Sequence, residues 1–394
     1  MAAIASARKG ARVVLIEGLD RVGKKILATG NGRCNLTNIT TDKTRFHGEN
    51  PNFVEGVFSQ MDVEQTLVFF QLLGLETKVE DEGKVYPLSD QASSVLDILR
   101  YEVEKLGVYQ ILGDPVVELE KKDEQFVVKT KSNKKVMGDS VILATGGKSS
   151  PKLGSNGSGY DLGTPFGHSI TPIFPALVQI KCENRSFRSL KGVKIQGSIR
   201  LESQGETLRT QWGEILFTDY GVSGPPVLQL SRGVQECLQN HKTPRLIVDF
   251  FPKFTEEKLY ETLWMLVSLE EKKPLDFSLI GLLNKRVIPV ILKEIGVDNI
   301  KKTCKEVGDK EIQRLVKGLK NCELRATGTL SWQDSQVTAG GFRTREVNPK
   351  TLESKKIPGL YFAGEVLDVD GDCGGFNLQW AWSSGIIAGE KASE

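Results

Sequence analysis

Four places in this 394-residue sequence carry residue types whose spacing points to chemistry. Arg12-Val-Val-Leu-Ile-Glu17 is an apolar run closed by an acid, while Ser140-Val-Ile-Leu-Ala-Thr-Gly-Gly147 and Gly359-Leu-Tyr-Phe-Ala-Gly-Glu365 are apolar runs that end in glycines. Continuous apolar runs of this length read as strands buried on both faces of a parallel sheet. Ligands of such sheets bind at the carboxyl ends of the strands, and a nucleotide suits an edge built from glycines and an acid. Glu17, at the end of its strand, is placed to accept hydrogen bonds from a ribose hydroxyl pair. Taken alone it reads equally well as a surface acid capping a strand, and the other clusters favour the nucleotide. The fourth place is Gly374-Gly375 at the start of a helical pattern. Bare backbone there leaves the N–H groups of about Phe376 to Leu378 pointing outward, an anion site. An occupant that suits it is the N1/O2 edge of a flavin, which gains negative charge on reduction, with Glu365 and Asp370 just upstream for cofactor hydroxyls. The competing explanation is close packing of the helix on a sheet.

The elements that must position these residues follow from periodicity. Residues 1–9 read as a small-residue helix ended by Gly10, and amphipathic patterns predict helices at about 62–73 and 90–106, the second ended by Gly107. Residues 116–138 alternate like a short antiparallel meander. From about 177 to 252 the pattern is strand-rich, with period-two segments at 194–202 and 206–212, so a second, all-β body is expected. Residues 255–320 read as amphipathic helices broken at Pro274, Pro289, Gly296 and Gly308. Strand signals return at 323–330 and 336–338. The expected division is 1–176 with 336–394 as a discontinuous cofactor domain, 177–253 with 321–335 as a β-barrel-like domain, and 254–320 as a helical insert.

Composition narrows the class. Lys and Arg number 52 against 50 Asp and Glu, which argues against a dedicated nucleic-acid binder. The basic helical stretch lacks aromatic interleaving and reads as a solvated face. With 39% hydrophobic and 26% charged residues the chain is expected to be globular, and no run approaches the roughly 18 apolar residues of a membrane span. The opening Met1 to Ala7 lacks a basic n-region, so cytoplasmic residence is expected. Six cysteines without CxxC spacing and three scattered histidines predict neither a disulfide framework nor a metal site.

Three longer motifs make the reading specific: Gly30-Asn-Gly-Arg-Cys-Asn-Leu-Thr-Asn38, Thr218-Asp-Tyr-Gly-Val-Ser-Gly-Pro225, and the run from Glu346 through Gly359-Leu-Tyr-Phe-Ala-Gly-Glu-Val-Leu-Asp-Val-Asp-Gly371 to Gly374-Gly-Phe-Asn-Leu-Gln379. In these the chain resembles, over almost its whole length, the aminoacetone oxidase-like (BaiN-like) family of FAD-binding flavoproteins. The resemblance implies an α/β fold: a glutathione-reductase-type, Rossmann-like FAD domain with an inserted β-barrel-like domain that itself carries a helical insert. It implies a noncovalent FAD held by the counterparts of Glu17, Gly32, Arg33, Val116, Gly147, Glu365, Asp370, Gly375 and Asn377. Gly30, Cys34, Asn35, Gly146, Gly364, Gly371, Gly374 and Leu378 flank them in the same motifs and complete the expected site. The sequence departs from the family pattern at Gly18, usually basic, and at Asp219, where many relatives carry His. Met1 falls where the family's first helix has already begun, so the opening strand and its GxGxxG turn are expected to be missing and FAD binding weakened.

The leading expectation is an FAD-dependent oxidoreductase whose flavin N5 accepts hydride from a small molecule. The resemblance makes a primary amine such as aminoacetone one donor, with oxygen as acceptor. A second expectation is an NAD(P)H-dependent reductase of a carbon–carbon double bond; the sequence carries no second nucleotide fingerprint, which mildly favours the oxidase. A third is a truncated family member that binds no flavin. Flavin oxidation requires no acid–base side chain, and neither His47, His168 nor His241 sits in a matching motif, so catalytic side chains stay unassigned. Cys34 and Cys373 read as packed thiols.

Overall fold

The run that closes on Glu17 forms the strand Val14–Glu17, which pairs in parallel with Tyr109–Leu112, Glu17 standing opposite Leu112. Sequence periodicity missed this partner, since four residues after Gly107 carry too few alternations to register. The other two glycine-ended runs pair with each other: Val141–Leu143 lies parallel to Leu360–Phe362. In the computed structural model, which describes residues 1–183 and 185–394, these two parallel pairs share no strand-to-strand hydrogen bonds. Met1–Ala176 and Trp332–Glu394 make one compact unit, Leu177–Ser331 a second.

In the first unit the meander appears as Val116–Lys122, Gln125–Thr130 and Lys135–Gly138, all antiparallel. The helix Phe376–Lys391 is buried nearly all round, as expected of a helix apolar on every side. Trp380 packs edge-on against Phe53 and Phe58, and Trp382 against Phe70, so one helix serves two cores. Its small residues admit the helix Ala2–Arg8. A Cβ on Gly389 would come within 2.4 Å of the Ala2 carbonyl oxygen. The fully buried Gln379 amide is satisfied: Thr37 Oγ1 lies 2.5 Å from Oε1, while Nε2 donates to Thr66 (2.7 Å) and Ser383 (2.8 Å). Buried polar groups persist only when paired in this way.

The second unit holds a closed six-stranded barrel in the order Ile180–Cys182, Gly221–Ser223, Glu206–Phe217, Lys194–Ser203, Arg245–Asp249, Cys322–Thr329. Its long hairpin turns at Gln204-Gly205, both at positive φ, the two-residue turn that matches strand twist. Inward positions Ile199, Leu201, Ile215 and Phe217 alternate with outward ones and join a single core with Leu259, Leu263, Ile291 and Leu315 of the following helices. The barrel and its helices therefore share one hydrophobic interior. No helix among the described residues is long and apolar enough to cross a membrane.

Candidate functional site

All of the expected site residues lie in the first unit, in three groups that lead from one to the next. In the first group, Glu17 ends its strand with one carboxylate oxygen accepting the Leu19 N–H at 2.9 Å. Its other oxygen makes no hydrogen bond among the described residues. The chain before Val116 lies alongside, since a Cβ on Gly18 would come within 3.2 Å of Pro115, and Asp114 N–H reaches the Glu17 carbonyl at 3.3 Å. Gly154 faces the same carboxylate from the glycine-rich loop that follows Val141–Leu143.

That loop leads to the second group. Gly146 abuts Ser155, and Gly147 packs so tightly that a Cβ would lie 2.3 Å from Thr338 Oγ1 and 3.0 Å from Glu365 Oε1. Glu365 is pinned from two sides: Oε1 accepts the Thr338 N–H at 2.7 Å, and Oε2 pairs with Lys25 Nζ at 2.8 Å. Lys25 also reaches Ser155 Oγ and the Ser149 carbonyl, both at 3.4 Å. The half-buried pair thus ties the short helix Lys24–Ala28 to the turn after Leu360–Phe362. Gly364 is held from the C-terminal helix, whose Trp380 Nε1 donates to its carbonyl at 3.0 Å.

The third group surrounds the start of that helix. Asn377 ties its first turn to the preceding loop, accepting the Gly371 N–H and donating to the Gly371 and Asp372 carbonyls. No side chain caps the helix, and Gly375 sits at φ +102° as its N-cap. The motif from Gly30 to Asn38 packs directly on it: Asn38 Nδ2 donates to the Gly374 carbonyl at 2.9 Å. A Cβ on Gly375 would lie 2.4 Å from the Thr37 carbonyl oxygen and 2.9 Å from Asn35 Oδ1. The crossing of the Thr37 backbone therefore requires this glycine, so close packing accounts for its missing side chain. Leu378 turns into a core with Ile4 and Leu36.

Some expected residues are committed elsewhere. The Arg33 guanidinium reaches Glu80 and Asp90 carboxylates at 2.5 Å and lies over the Tyr86 ring, 4.1 Å from its centroid. Cys34 is fully buried, and burial pushes its thiol up to about 11, offset in part by Thr29. Burial likewise raises the Cys373 thiol. Cys34 is a packed core thiol and Cys373 is partly buried; both are held away from the thiolate state that reactive cysteines need. Asp370 is buried, in a two-residue strand paired with Phe46–His47.

The structure also assembles groups that the sequence reading left out. His47 Nε2 meets Asp372 Oδ1 at 2.8 Å, 325 positions away in sequence, and Asp372 is 2% exposed. The Tyr160 hydroxyl is buried without a hydrogen-bond partner among the described residues, and burial, followed by the nearby Glu365 and Asp368 charges, raises its pKa above the usual phenol range.

A flavin dinucleotide suits this line of groups. Glu17 has an unused acceptor for ribose hydroxyls, the buried Asn35 Oδ1 makes no hydrogen bond among the described residues, and the C-terminal helix presents a first turn free of side-chain caps. Gly32, at φ +86° with no atom within 4 Å of the place a Cβ would occupy, leaves open space over the same motif.

Residues 1–391 match the HI0933-like protein Rossmann domain. The chain belongs to the HI0933-like family. It is 39% identical over 398 residues to a 3-dehydro-bile acid delta(4,6)-reductase of Clostridium scindens, a match covering 100% of this chain and 96% of that one. It is 30% identical over 381 residues to a ribosomal RNA dihydrouridine synthase of Escherichia coli, covering 95% and 90% of the two chains. Among solved structures, a 3-ketosteroid-delta4-(5alpha)-dehydrogenase of Rhodococcus jostii RHA1 aligns with a TM-score of 0.46 at 16% identity, covering 100% and 94%. The flavoprotein family expected from the motifs is therefore the family of this HI0933-like chain, an FAD-dependent oxidoreductase with the Rossmann-like fold and a barrel.

Proposed function

We propose that this HI0933-like protein is a flavin-dependent reductase of a carbon–carbon double bond conjugated to a carbonyl, with a reduced nicotinamide as electron donor. The observation that carries the reading is the 39% identity, over the whole chain, to a reductase whose name specifies double bonds at positions 4 and 6 of a 3-dehydro ring system. The dihydrouridine synthase names the same bond chemistry on a different scaffold, since uridine also carries its double bond beside a carbonyl. The higher identity of the first relative favours a small ring-shaped enone over RNA. Within the expected FAD-dependent oxidoreductase, aminoacetone, which the resemblance made one donor, has no comparable support, and the double-bond reductase is the reading preferred here.

The bound flavin supplies the two-electron chemistry; the protein orients and tunes it. In this reading Glu17 would accept the adenosine ribose hydroxyls, and Val116, the Lys25–Glu365 pair and the Gly146-Gly147 turn would help to hold the rest of the dinucleotide. The N–H groups at the start of Phe376–Lys391, with Asn35 and Asn377 near them, would stabilise negative charge on the isoalloxazine, as a helix N-terminus does for any anion. Anaerobic stopped-flow absorbance tests this. NADPH or NADH should bleach the flavin, and a 3-oxo-4-ene steroid should restore its colour. Bleaching by aminoacetone with no response to either nicotinamide would overturn the reading.

A further inference from the structure

The His47–Asp372 contact stands beside the helix N-terminus and is not among the groups proposed to hold the flavin. Asp372 is 2% exposed, and burial of a carboxylate is tolerated only when it is paired. Its partners include His47 Nε2 at 2.8 Å and Arg45 Nη1 at 3.8 Å. The backbone fixes it as firmly. Asp372 N–H donates to the Arg45 carbonyl at 2.9 Å, and Asp370 and Gly371 pair antiparallel with His47 and Phe46. Asn377, in the first helical turn, donates to the Asp372 carbonyl at 3.2 Å, and the Arg45 guanidinium lies over the Phe376 ring. The carboxylate, the imidazole and the start of the C-terminal helix, whose N-cap is Gly375, thus form one braced assembly. Within it, His47 is 26% exposed, and its Nδ1 has no partner among the described residues.

A carboxylate accepting from Nε2 keeps the proton on that nitrogen and turns Nδ1 toward whatever lies in front of the ring. An orphan ring nitrogen, an orienting buried acid and a strand paired with Asp370-Gly371, just ahead of the helix N-terminus proposed to face the flavin, are the parts of a proton-delivery site. We propose that His47 is the proton donor of the reaction and that Asp372 is its positioning residue. This rests on the reductase reading above. The substrate's β-carbon gains a hydride from the reduced flavin, the π electrons shift to the α-carbon and carbonyl, and the α-carbon gains the proton held on His47 Nδ1 of the imidazolium. The flavin is oxidised by two electrons and the double bond is reduced by the same two. Solvent then reprotonates the imidazole, and the nicotinamide restores the flavin.

The test separates hydride delivery from proton delivery. Reduced holoenzyme is mixed anaerobically with 2-cyclohexenone, which needs both, and with 1-nitrocyclohexene, which after hydride addition leaves as a stable nitronate. In His47→Gln and His47→Asn, reoxidation by the nitroalkene should stay within about threefold of wild type and release nitronate. Reoxidation by the enone should fall at least about 100-fold, the low end of what a positioned general acid contributes. Equal rates with both acceptors, or protonated nitroalkane as the product, would overturn the assignment. Electron transfer from the wild type to oxygen but to neither acceptor would sink the reductase reading and the donor with it. Asp372→Asn is read without turnover. The protein has three histidines, so two-bond 1H–15N spectra resolve each ring. In its neutral form wild-type His47 should be the Nε2–H tautomer and the variant a mixture; a tautomer unchanged by the substitution would remove Asp372 from its role.

Discussion

Replacing Gly375 by Ala should damage the protein with or without its cofactor. The residue sits at φ +102°, and the added Cβ would lie 2.4 Å from the Thr37 carbonyl oxygen and 2.6 Å from its carbon, about 1 Å inside ordinary contact. Thr37 cannot give way easily, because it is fully buried, paired opposite Val85 and bonded through Oγ1 to Gln379. Placing an L-residue in the left-handed region costs about 1–2 kcal/mol, and forcing one methyl into a packed interior about 1–3 kcal/mol more. A combined loss of roughly 3 kcal/mol corresponds to a Tm about 6–12 °C lower for a unit of this size. Gly32→Ala is the control: it shares the positive φ but has open space around its Cβ, so only the strain is expected, roughly 2–8 °C. Calorimetry of flavin-stripped wild type and both variants measures the difference. If stripped G375A melts within about 2 °C of stripped wild type while the flavin-loaded variant is impaired, the glycine serves the cofactor and the packing argument is wrong.

Three further outcomes follow from the same geometry. Glu17→Ala should weaken FAD binding about 10-fold and leave FMN binding unchanged in fluorescence titrations, because the carboxylate addresses a ribose that FMN lacks; equal losses would displace Glu17 from that role. Glu365→Ala leaves the Thr338 N–H without its acceptor and the Lys25 ammonium with only the two 3.4 Å contacts to Ser149 and Ser155, and urea denaturation of the stripped protein should show a loss of about 2–4 kcal/mol. Glu346 gives a pH signature: burial pushes its carboxyl up, but the Ser169 hydroxyl and N–H and the Lys356 ammonium more than offset this and hold it at about 2 against an ordinary 4.5. A depressed carboxylate stabilises above its unfolded value and loses that contribution as pH falls through the folded one. Glu346→Gln should therefore flatten the stability curve between about pH 4.5 and 2, and an acid limb identical to wild type would refute it.

Much of the architecture is written in local patterns. The strands Val14–Glu17, Val141–Leu143 and Leu360–Phe362 announce themselves as continuous apolar runs, yet only the last is buried throughout, and Val14–Glu17, with Val14 39% exposed, is not the strand covered on both faces that its sequence suggests; the barrel hairpin announces itself because a half-covered strand must alternate. Glycines at 146, 147, 374 and 375 are likewise visible, since a backbone that needs positive φ or close approach has few other residues to use. Tyr109–Leu112 escapes this logic: it becomes a strand only because Val14–Glu17 offers it a partner. The reason for Gly375 escapes it too, because the atom that excludes a side chain is the carbonyl of Thr37, far away in sequence. The Arg33 guanidinium, expected at a cofactor, is held by Glu80 and Asp90, which the motif does not contain. His47 and Asp372 carry no shared signal at all. Periodicity reports what a residue does to its own strand or helix; an ion pair, a clash or a proton donor exists only between residues, and chain folding alone decides which distant residues meet.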